Sequence, residues 1–151
     1  MTGLVADVIN ADPGRVLAID YGERRIGLAV SDPLRTIASP AGFVPRRARK
    51  RPPVGELVRQ VEAHDATAIV MGLPLDDEGN ETVRSEEVRR VAAELARRTG
   101  VAVTFVDERY TTAAALRAIH TMGGSTRGRR GDVDALAATI LLQHALALLS
   151  R

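Results

Sequence analysis

Residues 16–31 set the architecture of this chain, and they read Val16-Leu17-Ala18-Ile19-Asp20-Tyr21-Gly22-Glu23-Arg24-Arg25-Ile26-Gly27-Leu28-Ala29-Val30-Ser31. Two apolar runs, Val16–Asp20 and Ile26–Ser31, have the length and β-branched content of strands. The five residues between them contain a glycine and predict the turn of a hairpin. The chain therefore opens with a pair of antiparallel strands.

Further strands and helices follow from the apolar pattern. Residues 36–44 predict a third strand at a sheet edge, because Pro40 cannot donate a hydrogen bond to a ladder. Residues 67–71 and 101–106 predict two more strands. Apolar spacing and end signals predict helices from Val54 to His64, around Val88–Leu95 with an end at Gly100, from Thr111 or Thr112 through Ile119, and from about Asp132 to Leu149.

The predicted order β-β-β-α-β-α-β-α-α gives an α/β fold. Its sheet has five strands, antiparallel in the first three and parallel afterwards, with helices on both faces. At 151 residues we expect a short tail, 1–14, and a single domain, 15–151. A chain without cysteine, signal peptide or long apolar run is expected in the cytoplasm and not in a membrane.

Three carboxylates stand at the margins of apolar segments. Asp20 closes the first strand, Glu108 follows Val103–Asp107, and Asp134 opens the apolar part of the last helix. A charge beside a packed sheet loses hydration that only a partner can replace. Three carboxylates that meet would repel one another unless a hard divalent cation lay between them. Such a group is typical of metal-dependent nucleases.

Each carboxylate also has a simpler interpretation. Asp20 could start the turn of the hairpin, and Asp134 could be a first-turn acid favoured by the helix dipole. In an extended strand Asp107 and Glu108 point to opposite faces, so only one of them can join Asp20. The pattern alone leaves that choice open. Asp132 is the better candidate for the cap of the last helix.

Four segments resemble the motifs of one family. Residues 20–32 are similar to the opening motif of the YqgF (RuvX) family, whose members are described as Holliday-junction resolvases or pre-ribosomal-RNA nucleases of RNase H-like fold. Three further segments resemble the remaining motifs of the family in the same order. They are Gly72-Leu73-Pro74, then Asp107-Glu108-Arg109 with Thr111-Thr112, and finally Val133-Asp134 with Ala137-Ala138 and Ile140-Leu141-Leu142-Gln143. The match covers roughly residues 15–146.

The resemblance implies an RNase H-like three-layer fold with Asp20, Glu108 and Asp134 as metal ligands around two Mg²⁺ or Mn²⁺ ions. It selects Glu108 over Asp107 and leaves Asp132 outside the site. The implied reaction is hydrolysis of phosphodiester bonds in branched DNA or at the 5′ end of precursor small-subunit ribosomal RNA. Family members often carry Lys at position 132, where the acid of this chain adds a negative charge that opposes phosphate binding.

Two other classes of protein stay open. A catalytically weak RNase H-like module would bind nucleic acid without cutting it. A small nucleotide-binding ATPase also opens with Asp-x-Gly on a hairpin, but it needs a second lobe, for which 151 residues leave no room. A resolvase cuts two strands symmetrically, which predicts a homodimer, whereas a processing nuclease need not be one.

Arginine supplies nearly all of the 21 basic residues, and its planar fork suits phosphate. The predicted nucleic-acid contacts are Arg24, Arg25, Arg109, Arg127, Arg129 and Arg130. A second basic loop holds Arg46, Arg47, Arg49, Lys50 and Arg51, for which a solvated loop is the simpler interpretation. With two Tyr, two Phe and no Trp, contact through the backbone and shape of a folded nucleic acid is expected.

Overall fold

The structure is a computed structural model that describes residues 14–47, 50–113, 115–116 and 130–149, with the backbone alone for 130–132 and 149. The predicted tail therefore lies outside the described residues except for Gly14. The same holds for Arg49, Arg127 and Arg129, for the side chain of Arg130, and for most of the helix predicted to end at Ile119.

A five-stranded sheet forms the middle layer. Its strands are β1 (Arg15–Tyr21), β2 (Arg25–Ser31), β3 (Ala38–Pro45), β4 (Ala66–Leu73) and β5 (Val103–Asp107). They lie in the order β3-β2-β1-β4-β5, with antiparallel pairing from β3 to β1 and parallel pairing from β1 to β5. This confirms the predicted mixed sheet and the edge position of β3.

The helices cover both faces of the sheet. They are α1 (Val54–Ala63), α2 (Val83–Thr99) and α3 (Arg130–Leu149), with a 3₁₀ turn at Glu108–Tyr110. Gly100 ends α2 in the left-handed conformation, with φ of 72°, as predicted.

The start of α3 differs from the prediction. The helix already includes Arg130 and Gly131, which precede the start predicted near Asp132, and Asp132 lies within the helix rather than at its cap. Packing against the sheet, more than the residue preferences of the first turn, sets the extent of such a helix.

Side chains that alternate along β1 pack in two separate hydrophobic cores, one on each face of the sheet. Leu17 and Ile19 pack in the cluster that contains residues of α1 and α2, whereas Val16 and Ala18 pack with α3. Asp20 follows the second set, so its side chain faces α3. Within the described residues, no helix is both long enough and apolar enough to cross a bilayer.

Candidate metal centre

Asp20 lies in the penultimate position of β1 and is 1% exposed. Across the antiparallel pair it is opposite Gly27 of β2. Because side chains alternate along a strand, it shares the α3 face with Val16 and Ala18. A charged group is therefore held at the carboxyl end of a central strand with almost no access to solvent.

Asp134 comes close to Asp20 because α3 crosses β2 at a glycine. A Cβ atom built on Gly27 would lie 2.0 Å from the main-chain carbonyl oxygen of Asp134 and 2.5 Å from its carbonyl carbon. No side chain other than hydrogen fits there, so Gly27 permits the first turns of α3 to rest on the sheet. Asp134 is 5% exposed.

Glu108 is brought in by a second glycine. β5 ends at Asp107, and Glu108 begins the 3₁₀ turn with 6% exposure. A Cβ atom built on Gly72 of β4 would lie 2.5 Å from Oε1 of Glu108 and 2.9 Å from its Cγ. The space that a side chain would fill on β4 is thus taken by the side chain of Glu108.

These contacts place the three acids around one row of the sheet. Ile19 pairs with Met71 in the parallel pair of β1 and β4, so Gly72 is the next position in register beside Asp20. Gly27, Asp20 and Gly72 therefore follow one another across three strands spaced about 4.8 Å apart. The backbone of Asp134 covers Gly27 and the side chain of Glu108 covers Gly72, and Asp20 lies between these two glycines in the row.

Asp107 has a different partner. Its carboxylate accepts hydrogen bonds from the backbone N–H of Arg109 at 3.0 Å and from Nη2 of that arginine at 2.6 Å. The hydrogen bonds from Arg109 hold the pKa of Asp107 below its usual range. Arg109 also donates to the carbonyl of Asp77. The pair fastens the loop after β4 to the end of β5, while Glu108 takes the place beside Asp20.

Arg25 contacts the acid site directly. Its Nε donates to Oδ2 of Asp134 at 2.7 Å, and its guanidinium is partly exposed while the carboxylate is buried. Among the described residues, no three Asp, Glu or His side chains are grouped closely enough to share one cation. Asp134 is turned toward Arg25 in this arrangement.

The donor set nevertheless fits a hard divalent cation. Three buried carboxylates provide the oxygen ligands that Mg²⁺ and Mn²⁺ prefer. The two glycines leave room for these carboxylates above the sheet. In this arrangement Arg25 donates to Oδ2 of Asp134, so its positive charge lies beside a carboxylate that a cation would share.

Some of the basic residues predicted to contact nucleic acid are exposed, and one is held by contacts within the fold. Arg24, Arg47, Lys50 and Arg51 are exposed. Arg46 is instead built into the fold: its guanidinium lies 4.5 Å from the ring centre of Tyr21 and donates to the carbonyl of Gly22 and to Glu87.

The aromatic side chains also divide. Tyr21 is buried, and burial raises its pKa to about 12 even though Arg46 acts in the opposite direction. Tyr110 is 69% exposed and Phe43 is 42% exposed. Phe43 lies opposite Gly27 on the edge strand, in the row that contains Asp20. Two aromatic side chains near the acids are thus accessible to a base.

Some residues of the site were not predicted. The sequence pattern did not predict that Gly27 and Gly72 make room for Asp134 and Glu108, although a glycine inside an apolar strand can indicate close approach of another segment. The contact of Arg25 with Asp134 joins positions 109 residues apart, and no local pattern announces it.

A mixed five-stranded sheet in the order β3-β2-β1-β4-β5, with helices on both faces, defines a fold of the RNase H-like class. In fold the chain is similar to the Thermus thermophilus protein of the structure "T. thermophilus RuvC in complex with Holliday junction substrate". The TM-score is 0.54 at 19% identity, over 89% of this chain and 94% of that one.

The model of the family described as "RuvX: Holliday junction resolvase" matches residues 14–148, and the chain belongs to this nuclease family. It is 40% identical over 133 residues to a "Putative pre-16S rRNA nuclease" of Clavibacter sepedonicus, covering 88% of this chain and 83% of that protein. A protein of the same name from Roseiflexus sp. (strain RS-1) is 37% identical over 138 residues, covering 91% of this chain and 97% of the relative.

Proposed function

We propose that the protein is a metal-dependent endonuclease that hydrolyses phosphodiester bonds of structured nucleic acid. Asp20, Glu108 and Asp134 would hold two Mg²⁺ or Mn²⁺ ions. The observation that supports this proposal is that three carboxylates are buried on elements that meet at the row Gly27-Asp20-Gly72. Membership of a nuclease family supports the same reaction.

The electrostatics of the site favour cation binding. Buried carboxylates lose hydration, and a divalent cation bound among them would compensate both this loss and their mutual repulsion. Bound there, divalent cations would activate the attacking water and stabilise the leaving oxygen in an in-line displacement. Asp20 is the most buried of the three acids that would hold the cations.

The surrounding side chains suit a phosphate backbone with one or two accessible bases. Arg24, Arg47, Lys50 and Arg51 present exposed charge. Phe43 and Tyr110 offer rings on which a base can stack. Arg127, Arg129 and Arg130 remain predicted contacts from the sequence, because their side chains lie outside the described part of the chain.

The substrate can be determined by direct comparison. The family description points to a four-way DNA junction, and the names of the relatives point to precursor 16S ribosomal RNA. Purified protein with Mn²⁺ should cut one of these two and leave linear duplex DNA intact, and Asp134→Asn should cut neither. Paired symmetric nicks in the junction would indicate a homodimeric resolvase. Trimming of the RNA 5′ end would indicate a processing enzyme, and no metal-dependent cleavage of either would contradict the proposal.

A further inference from the structure

Arg25 donates to one of the two carboxylate oxygens of Asp134, a predicted metal ligand. The distance from its Nε to Oδ2 is 2.7 Å, which is that of a charge-assisted hydrogen bond. Arg25 opens β2, two positions before Gly27, so it shares the face of the sheet on which α3 and Asp20 lie. Its guanidinium is therefore at the entrance of the acid site and partly exposed to solvent.

The pair has a clear role in the absence of a cation. A buried carboxylate beside other carboxylates is costly unless a positive group compensates it. Arg25 supplies that charge for Asp134. The same charge opposes the approach of a divalent cation to Oδ2, because the guanidinium and the cation repel each other at contact distance.

A phosphodiester offers Arg25 another partner. A planar guanidinium can bind two phosphate oxygens at once, and Arg25 donates to Asp134 through its Nε. The side chain of Arg25 is 20% exposed, so part of it is accessible to a ligand. Transfer of Arg25 from Asp134 to the phosphate would leave Oδ2 available to a cation.

We propose that Arg25 is a positioning residue that makes metal binding at Asp134 depend on nucleic acid. Without substrate it holds the carboxylate and keeps the affinity for divalent cations low. With substrate it moves to the phosphate, and the affinity rises. Coupling between two ligands is reciprocal, so cations also strengthen nucleic-acid binding. This inference rests on the proposed metal site.

The test is the dissociation constant of Mn²⁺ for the full chain, measured by electron paramagnetic resonance, with and without a four-way DNA junction. The amount of Mn²⁺ that the junction binds without protein is subtracted. The measurements are made at low temperature, and gels verify that the junction is not cleaved. The variants are Arg25→Gln, which removes the charge, and Arg25→Lys, which keeps it. Arg59→Gln, at an exposed arginine paired with Glu56, is the matched control.

We expect Arg25→Gln to bind Mn²⁺ at least about fivefold more tightly than the wild type in the absence of DNA. The junction should tighten Mn²⁺ binding by a similar factor in the wild type and by less than twofold in Arg25→Gln. Arg25→Lys should stay within about twofold of the wild-type affinity without DNA, and Arg59→Gln should match the wild type throughout.

Other outcomes separate the two proposals. Weaker or unchanged Mn²⁺ binding by Arg25→Gln, with normal wild-type binding, would overturn the role of Arg25 alone. If Arg25→Gln does not fold, Arg25→Lys provides the test. Without DNA, Mn²⁺ binding by Arg25→Lys about fivefold tighter than by the wild type would also overturn the role of Arg25. If the wild type binds Mn²⁺ no better than Asp20→Asn does, with or without DNA, the metal site itself fails, and with it the proposed function.

Discussion

The main-chain carbonyl oxygen of Asp134 lies where a side chain on Gly27 would begin, 2.0 Å from an ideal Cβ position. This contact joins the first turns of α3 to the second strand of the sheet. It brings an acid at position 134 over the row that contains Asp20. The site therefore depends on a missing side chain as much as on the carboxylates.

Gly27→Ala should separate α3 from the sheet and destabilise the protein by more than about 1–3 kcal/mol, the usual cost of an overpacked core. The clash is with backbone atoms, which cannot rotate away. The measurement is urea unfolding followed by circular dichroism. Gly55→Ala in α1 is the control, because its nearest neighbour is a side-chain nitrogen 3.9 Å away. It should be neutral or slightly stabilising. Equal effects of the two substitutions would refute the contact.

Gly72→Ala should act mainly on Glu108. The added methyl group would meet Oε1 and Cγ of this flexible side chain, which can rotate where a backbone cannot. We expect a smaller loss of stability than for Gly27→Ala, and a loss of Mn²⁺ affinity of about 10-fold or more, as for other changes around metal ligands. Isothermal titration calorimetry measures this affinity. Unchanged Mn²⁺ binding in a folded Gly72→Ala protein would show that Glu108 is not a ligand.

Arg46 and Arg47 are adjacent but should behave differently. Arg46→Ala removes the contact with the ring of Tyr21 and the bonds to Gly22 and Glu87, and should cost about 2 kcal/mol of stability. Arg47→Ala should change stability by less than about 0.5 kcal/mol. It should instead weaken nucleic-acid binding and reduce its salt dependence by about one charge. Urea unfolding measures the stability, and fluorescence anisotropy at several salt concentrations measures nucleic-acid binding. A loss of stability in Arg47→Ala and a loss of binding alone in Arg46→Ala would contradict these assignments.

Asp32 should give the protein part of its acid sensitivity. Its carboxylate accepts hydrogen bonds from the backbone N–H groups of Ile37 and Thr36 and from the Thr36 hydroxyl, which lower its pKa to about 2. In an unfolded chain the pKa is about 3.9. The folded value is the lower one, so this contribution to stability is complete above about pH 4 and is lost as the pH falls toward 2.

The comparison with Asp32→Asn isolates that contribution. The difference between the unfolding free energies of wild type and variant should be constant from pH 7 to 5 and shrink between pH 4 and 2. Urea titrations at each pH give this difference. A difference that does not vary with pH would show that the hydrogen bonds to Asp32 do not depend on its charge.

The sequence predicted the sheet well because local signals agree with the fold there. The apolar alternation and the glycine turn of residues 15–31 specify a hairpin, and Pro40 places β3 at an edge, as observed. The start of α3 was misplaced because packing on the sheet, which no local pattern records, extends the helix to Arg130.

The site was only partly predictable. The acids drew attention because each interrupts an apolar segment, and the resemblance to the family selected Glu108 over Asp107. The spacers at Gly27 and Gly72 depend on how closely two elements approach, which is a tertiary property. The basic run after β3 was read as one charged loop, yet Arg46 turns inward to Tyr21 while Arg47 stays exposed. Charge alone cannot distinguish two such neighbours.

The Mn²⁺ affinity of Asp20→Asn tests the central claim most directly. Asp20 is the most buried of the three proposed ligands, so its neutralisation should weaken Mn²⁺ binding by about 100-fold and abolish metal-dependent cleavage. The protein should remain folded, because the substitution removes a buried charge without changing the shape. Asp107→Asn, which alters the pair with Arg109, should retain Mn²⁺ binding. Wild-type Mn²⁺ affinity in Asp20→Asn would contradict the account.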